Sequence, residues 1–277
     1  MKRTVLLLTA CLNPGGMKYT VLQDAEERKR QYKRAIDYYL EKTKYRIVFC
    51  DNSGADLTEL KNPKYVNRIE FLSFSGNDYN ANYGKGYGEF LIIQYAFENS
   101  RFIKKASIVI KITGRLFVEN LMEITKWHQL LFGNRKNCFF GSGDRNYKQI
   151  NSRCFIASKN FFEDYFLREN NTINDSKGYY FEHYLFDRVM ALPKDFIISD
   201  FVFPISISGQ SGTSGECYKG INISRYEELR LIRDYCERKK LEFFKIKTSV
   251  YYRISVVSFI VRVEKAACRM LFRQQEL

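Results

Sequence analysis

The stretch Ile108 to Arg115, Ile-Val-Ile-Lys-Ile-Thr-Gly-Arg, constrains the fold more than any other part of the chain. Its apolar, β-branched start has the composition of a buried strand, and it runs without a break into Lys111 and then a Thr-Gly-Arg turn. A buried strand that ends in two cations delivers charge to a fixed point. In an open α/β sheet that point lies beyond the carboxyl end of a central strand, where ligands collect. The plainer alternative is a core strand whose charged end is simply solvated.

The surrounding chain supplies the rest of such a sheet. Thr4 to Thr9 forms a first apolar run, followed by the loop Ala10 to Tyr19. Asp24 with Glu27 three residues on makes a capping box for a helix to about Lys42, with Tyr32, Ala35, Ile36, Tyr39 and Leu40 on its apolar side. Tyr45 to Cys50 reads as a second strand ending in the turn Asp51-Asn52-Ser53-Gly54, and Arg68 to Phe74 as a third. Strand, helix, strand alternation at this spacing predicts a parallel sheet with right-handed crossovers.

Between the third strand and Ile108 lies a polar, glycine-rich loop, Gly76 to Glu89, that flows into an apolar helix, Phe90 to Phe97. Alternating Gly84, Gly86 and Gly88 would let backbone N–H groups approach an anion at the helix start, with Lys85 adding a full charge. The other reading is a tight packing point between loop and helix. Further on come a helix from Val118 to Leu131 and a strand Asn137 to Phe140 that ends in Gly-Ser-Gly-Asp144. Arg153 to Ser158 would then make an antiparallel edge strand. Phe161 to Leu167 and Gly178 to Leu192 read as helices and Phe196 to Val202 as a last strand. Ser206 to Gly220 has the composition of a mobile lid, and Ser224 with Glu227 caps a helix to about Lys240.

Length and charge bound the function. The chain has 277 residues, 45% of them hydrophobic, enough for one substantial core divided as a domain over 1–222 and a helical extension over 223–277. Its charge of +14, from 45 Lys+Arg against 31 Asp+Glu, calls for an anionic partner: nucleic acid, anionic lipid, a sugar nucleotide or a phosphorylated carrier. Seven cysteines stand singly and odd in number, which argues against a disulfide framework or zinc site and for a reducing cytoplasm. The apolar run near the N-terminus is short and ends in Asn-Pro-Gly-Gly, a strand and turn rather than a signal peptide, and no run is long enough to span a membrane. In the tail, Ser249 to Arg273, a helix would align Val256, Phe259, Ile260, Val263, Ala267, Met270 and Leu271 on one side. Arg262, Lys265, Arg269 and Arg273 would lie on another. Such a basic amphipathic helix suits an anionic membrane surface, the alternative being a docked helix with a solvated basic edge.

Four loops thus follow predicted strands on one rim: Ala10 to Tyr19, Asp51 to Ala55, Asn82 to Glu89, and Thr113 to Arg115. In that order and spacing, over roughly residues 1–200, the chain resembles the GT-A glycosyltransferases, nucleotide-sugar-dependent enzymes of bacterial surface polysaccharide (O-antigen and capsule) synthesis. The resemblance implies an α/β fold, a GT-A-like Rossmann-type mainly parallel sheet flanked by helices with a C-terminal helical extension. It further implies that Thr9, Asn13 and Asp51 hold the base and ribose of a UDP-sugar, with Tyr83, Lys85 and Glu89 beside the donor. Where that family usually carries an Asp-x-Asp metal motif, this chain has Lys111-Ile112-Thr113-Gly114-Arg115.

Cations supplied by the protein can counter a diphosphate as a metal does, so donor binding through Lys85, Lys111, Thr113 and Arg115 without a metal cofactor is expected. The alternative is a Mn2+ or Mg2+ ion on Asp144 or Glu89. The resemblance implies a catalytic base near the start of a helix after the donor site, a position that Glu182 fits ahead of Asp187 and Asp144, against a surface glutamate paired with Arg188 or Lys177. His183 is read as an acceptor or phosphate contact or as a partly buried histidine. The implied partners are a nucleotide sugar, a lipid-linked oligosaccharide acceptor and, through the tail, the inner face of the cytoplasmic membrane, with no nucleic acid.

The rivals are weaker. A methyltransferase or dehydrogenase places its glycines after the first strand, where this chain has Asn13-Pro14-Gly15-Gly16, and no GxxxxGK[ST] loop exists. A nucleic-acid-binding protein fits the charge but shows no reader motif, and its aromatics fall inside predicted core elements.

Overall fold

The computed structural model describes residues 3–17, 20–133, 136–168 and 172–243, and in the tail 254–255, 257–261 and 264. The elements in chain order begin with β1 (Thr4–Ala10), α1 (Ala25–Lys42), β2 (Arg46–Asp51), β3 (Ile69–Ser73), α2 (Gly84–Asn99) and α3 (Arg101–Lys104). They continue with β4 (Ile108–Thr113), β5 (Phe117–Val118), α4 (Leu121–Phe132), β6 (Cys138–Asp144), β7 (Gln149–Ser158) and α5 (Lys159–Phe161). Last come α6 (Phe181–Met190), β8 (Ile197–Ser199), β9 (Ile207–Gln210), β10 (Cys217–Tyr218) and α7 (Arg225–Phe243). They divide between two compact units, one of Met1–Phe117, Lys136–Asp200 and Ile207–Lys219, the other of Val118–Arg135, Phe201–Ser206 and Gly220–Leu277.

The first unit is built on a seven-stranded sheet in the order β3-β2-β1-β4-β7-β6-β8. β1 pairs in parallel with β2 and β4, β2 with β3, and β6 with β8, while β7 runs against both its neighbours. The expected mainly parallel α/β sheet is therefore present, with helices packed on it. β1 is buried along its whole length, and the four central residues of β4 are buried too. One face is sealed by an aromatic cluster in which Phe90 of α2 and Tyr184 of α6 both meet Phe166, at ring separations of 5.5 and 5.4 Å.

Several expectations are corrected here. Arg153 to Ser158 is not an edge: it belongs to β7, inserted between β4 and β6, and Cys154, Phe155, Ile156 and Ala157 are all buried. A strand apolar on both faces needs a neighbour on both sides. The segment Ser206 to Gly220 is no open loop but the antiparallel hairpin β9–β10, closed by Ser211 N–H donating to Glu216 O at 2.8 Å. The last strand of the sheet shrinks to Ile197–Ser199. At the start of α1, Asp24 caps Glu26 and Glu27 N–H as predicted, but Glu27 turns outward to Arg30 and Gln31, so the box is half formed.

The second unit contains α4, α7 and the described tail residues. Trp127 Nε1 donates to Glu228 Oε1 at 3.0 Å, tying α4 to α7, and the buried His128 ring lies against Phe132 and Phe201. In the tail, Ile254, Val257 and Val261 are buried while Phe259 and Ile260 are exposed. The buried stripe is thus rotated away from the predicted one, which shared a face between Phe259 and Ile260. Val256, Arg262, Val263, Lys265, Ala267, Arg269, Met270, Leu271 and Arg273 lie outside the described residues. No helix among the described residues is long and apolar enough to cross a membrane.

Candidate active site

The carboxyl ends of β1 and β4 open into a cavity of about 420 Å³ in the first unit. Its floor is Thr9 and Ala10 from β1 and Thr113 from β4, and its walls come from the start of α2, from β7, from α6 and from the β9–β10 hairpin. This is the rim on which the sequence places a ligand, and the Thr-Gly-Arg turn explains how the charge gets there. Gly114 N–H donates to Thr9 O at 2.8 Å, and a Cβ on Gly114 would stand 2.7 Å from that same oxygen. Only glycine lets the chain cross β1 this closely, and the crossing turns Arg115 into the cavity wall.

The two cations of the opening stretch have different roles. Lys111 is fully buried; its Nζ pairs with Glu89 Oε1 and donates to Ser152 O at 2.5 Å and Thr113 Oγ1 at 3.4 Å. An ammonium has three N–H donors, and all three are used inside the protein. Lys111 therefore does not meet a donor directly, contrary to expectation. It fixes Glu89, whose Oε1 also accepts the Thr9 hydroxyl at 3.0 Å and which does line the cavity.

Arg115 faces the cavity. Nη1 donates to Gln210 O at 2.6 Å, and Nε is buried without an acceptor among the described residues. Lys85 lines the cavity as well and hydrogen-bonds Thr213 of the hairpin. Glu182, in the first turn of α6, also lines the cavity, and its Oε1 accepts the Ser152 hydroxyl at 2.6 Å.

Other predicted residues fall elsewhere. Asp51 is completely buried beneath the cavity: Oδ1 accepts Leu12 N–H at 2.7 Å and Oδ2 accepts Ser53 N–H at 2.9 Å and its hydroxyl at 2.8 Å. Burial raises its pKa, with the backbone and Ser53 hydrogen bonds opposing. It pins the loops after β1 and β2 together, and its neighbour Asn52 reaches the cavity in its place. Asn13 is spent on the same loop, accepting Gly15 N–H and donating its own N–H to Ser53 Oγ. Tyr83 lines a separate depression with Tyr179 and Arg188.

Asp144 caps the β6–β7 turn by accepting Asn146 N–H at 2.9 Å. Asp187 accepts the Tyr179 hydroxyl at 2.5 Å, and His183 Nδ1 accepts Tyr180 N–H at 3.2 Å. Asp144, Asp187 and His183 are not among the cavity-lining residues, because each serves the local turn or helix start that holds it.

The α2 start takes the second of its two readings, a tight packing point. The anion that approaches its glycines is the protein's own Asp175, whose Oδ2 accepts Gly86 N–H at 3.4 Å. A Cβ at Gly84 would lie 2.2 Å from that oxygen, and φ there is +77°. Burial raises the Asp175 pKa, and the nearby charge of Glu182 adds to the rise against the α2 hydrogen bonds and Lys85. The contact spans 89 residues, so no local pattern announces it.

Sequence reasoning also passed over Ser152 and Arg153 on β7 and Arg28 on α1, all cavity-lining. Arg28 braces the β1 loop, donating to Cys11 O at 2.6 Å and Leu22 O at 3.1 Å. Arg153 is held over the Tyr218 ring at 4.7 Å. Cys11 lines the cavity as well, but burial raises its pKa, which disfavours a nucleophilic thiolate.

Among the described residues no group of three or more His, Cys, Asp or Glu could hold a metal ion, and each carboxylate on the cavity wall has a protein partner: Glu89 pairs with Lys111, Asp175 accepts Gly86 N–H and Glu182 accepts the Ser152 hydroxyl. Glu89 is committed to Lys111, and Asp144 to its turn. The residues present do not fit a divalent ion at the Asp-x-Asp position.

Fold and cavity together define an α/β protein with a polar site at the carboxyl rim of a mainly parallel sheet. No family model matches the chain, and no curated protein matches it. Among solved structures, it is similar to S. aureus TarS 1-349 in complex with UDP at 12% identity and TM-score 0.41, covering 91% of this chain and 68% of that one. It is similar to S. aureus TarS at 11% identity and TM-score 0.40, covering 93% and 43%. For TarS 1-349 the values are 11% and 0.38, covering 95% and 72%.

Proposed function

We propose that this protein is a glycosyltransferase that moves a sugar from a nucleotide-sugar donor, a UDP-sugar, onto a hydroxyl acceptor. The observation that carries the reading is one cavity at the sheet rim with Arg115 and Lys85 on its walls and Glu182 beside Ser152. In the reaction the bond from the anomeric carbon to the diphosphate oxygen breaks, and a new bond to the acceptor oxygen forms. The leaving diphosphate collects negative charge, which the Arg115 fork and the Lys85 point charge are placed to counter. Glu182 takes the acceptor proton, and the Ser152 hydroxyl donating to Oε1 holds the carboxylate in place.

The acceptor we propose is a lipid-linked glycan of surface polysaccharide synthesis at the inner face of the cytoplasmic membrane. The strongly basic chain, +14, supports an anionic setting. The reading needs no divalent ion, and activity retained after thorough chelation is its corollary.

The test is release of nucleoside diphosphate from a panel of nucleotide sugars. Glu182→Gln is expected to lower turnover by roughly 10²-fold or more while nucleotide affinity stays unchanged, as for loss of a general base. Undiminished turnover would remove Glu182 from the chemistry.

A further inference from the structure

We propose that the opposite, amino-terminal edge of the same sheet is a second anion-binding site, one that takes an extended chain of phosphate groups. Three segments far apart in sequence bring cations there: Arg3 before β1, Lys44 and Arg46 at the start of β2, and Arg101, Lys104 and Lys105 in and after α3. These residues line two depressions, of about 640 and 340 Å³, that share Arg46, Phe102 and Lys105 and so adjoin as a groove in two parts. Arg101 is paired with Glu70, at 3.1 Å. Arg3, Lys44, Arg46, Lys104 and Lys105 have no ion pair with any described residue. Gathering like charges without counter-charges raises the energy of the folded state, and an anionic ligand removes that cost.

Two further observations point to a ligand rather than to a solvated face. Thr4, on the groove wall, is only 7% exposed, and its hydroxyl is buried with no hydrogen-bond partner among the described residues. A buried hydroxyl left unpaired is costly, and a phosphate oxygen reaching into the groove would satisfy it. The Arg46 guanidinium lies over the Phe102 ring at 5.0 Å, a stacking that holds its plane at the groove.

Shape selects among anions. A bilayer is flat and reaches the exposed cations but not a hydroxyl as buried as that of Thr4. A single phosphate is far smaller than either depression, whereas a linear chain with repeated phosphates can extend through both. The site lies at the far end of β1 from the catalytic cavity, roughly 17 Å from Thr4 to Thr9 at the usual strand rise. The two can therefore be occupied independently.

The probe is a short linear inorganic polyphosphate, titrated into the full chain at two salt concentrations, alongside inorganic phosphate and vesicles of phosphatidylcholine with phosphatidylglycerol. The chain phosphate is expected to bind, more weakly as salt rises, and more tightly than the single phosphate. Lys44→Glu with Lys105→Glu should weaken it by roughly tenfold or more beyond a control of identical charge change on exposed α1 and loop positions, Arg34→Glu with Lys61→Glu. Thr4→Val, close to isosteric, should weaken binding several-fold while leaving the unfolding midpoint equal or higher, because it removes an unpaired buried hydroxyl. Equal losses in the two charge-reversed proteins would overturn the proposal, as would an unchanged affinity in Thr4→Val. So would capture by vesicles without binding of polyphosphate.

Discussion

Lys111 and Arg115 stand four positions apart on one strand end, and their environments give them opposite tasks. Lys111 is a buried cation whose three donors are consumed by Glu89, Ser152 and Thr113, so its loss strands the Glu89 carboxylate. Lys111→Met is expected to cost about 3–5 kcal/mol in denaturant unfolding, and adding Glu89→Gln should recover much of it, since a neutral amide tolerates the site better than an unpaired charge. A loss below 1 kcal/mol would mean that the pair does not hold the cavity floor. The sequence shows both cations at the end of a buried strand. Which one points to the cavity depends on the Gly114 crossing and on Glu89 reaching over from α2, neither of which is written locally. Asp175 illustrates the same limit: its only sequence mark is a turn-forming neighbourhood, Asn174 to Gly178, whereas its role comes from the helix start it seals.

At the scale of elements, the α2 start couples fold to site. Its first two turns carry Lys85 and Glu89 to the cavity, and its start packs so closely on Asp175 that a side chain at Gly84 has no room. Gly84→Ala meets both a positive φ and the Asp175 carboxylate, so a destabilisation of about 1–3 kcal/mol is expected. Circular dichroism melting checks it; an unchanged midpoint would show that the helix start can shift without cost. The strands β1, β2, β3 and β4 were legible because apolar, β-branched runs separated by a helix pattern leave few other arrangements. The position of β7 was not, since strand order depends on what pairs rather than on composition. The β9–β10 hairpin was hidden for another reason: Ser, Gly and Thr are common to mobile loops and to tight turns.

Across the whole molecule, composition forecast a basic chain with an anionic partner, and among the cations of the first unit Arg28, Lys85, Arg115 and Arg153 line the cavity while Arg3, Lys44, Arg46, Arg101, Lys104 and Lys105 line the groove at the opposite strand ends. The second unit carries its own pH response. Burial pushes the His128 pKa down to about 3, against about 6.5 in an unfolded chain. Between those values the unfolded state binds the extra proton. Stability is therefore full above pH 6.5 and is lost as pH falls toward 3, by up to about 1.4 kcal/mol per pH unit. Unfolding followed from pH 7 to pH 4 should show that slope, and His128→Phe should flatten it; identical slopes would contradict the assignment.

The central claim is that Arg115 and Lys85 hold a nucleoside diphosphate at the rim of the sheet, and calorimetric titration with UDP tests it most directly. The parent protein is predicted to bind, and Arg115→Ala and Lys85→Ala each to bind roughly 10- to 100-fold more weakly, as loss of a charge-assisted contact implies, with Lys85→Ala unfolding at the parental midpoint. Failure of the parent to bind, or equal affinity in all three proteins, would contradict the account.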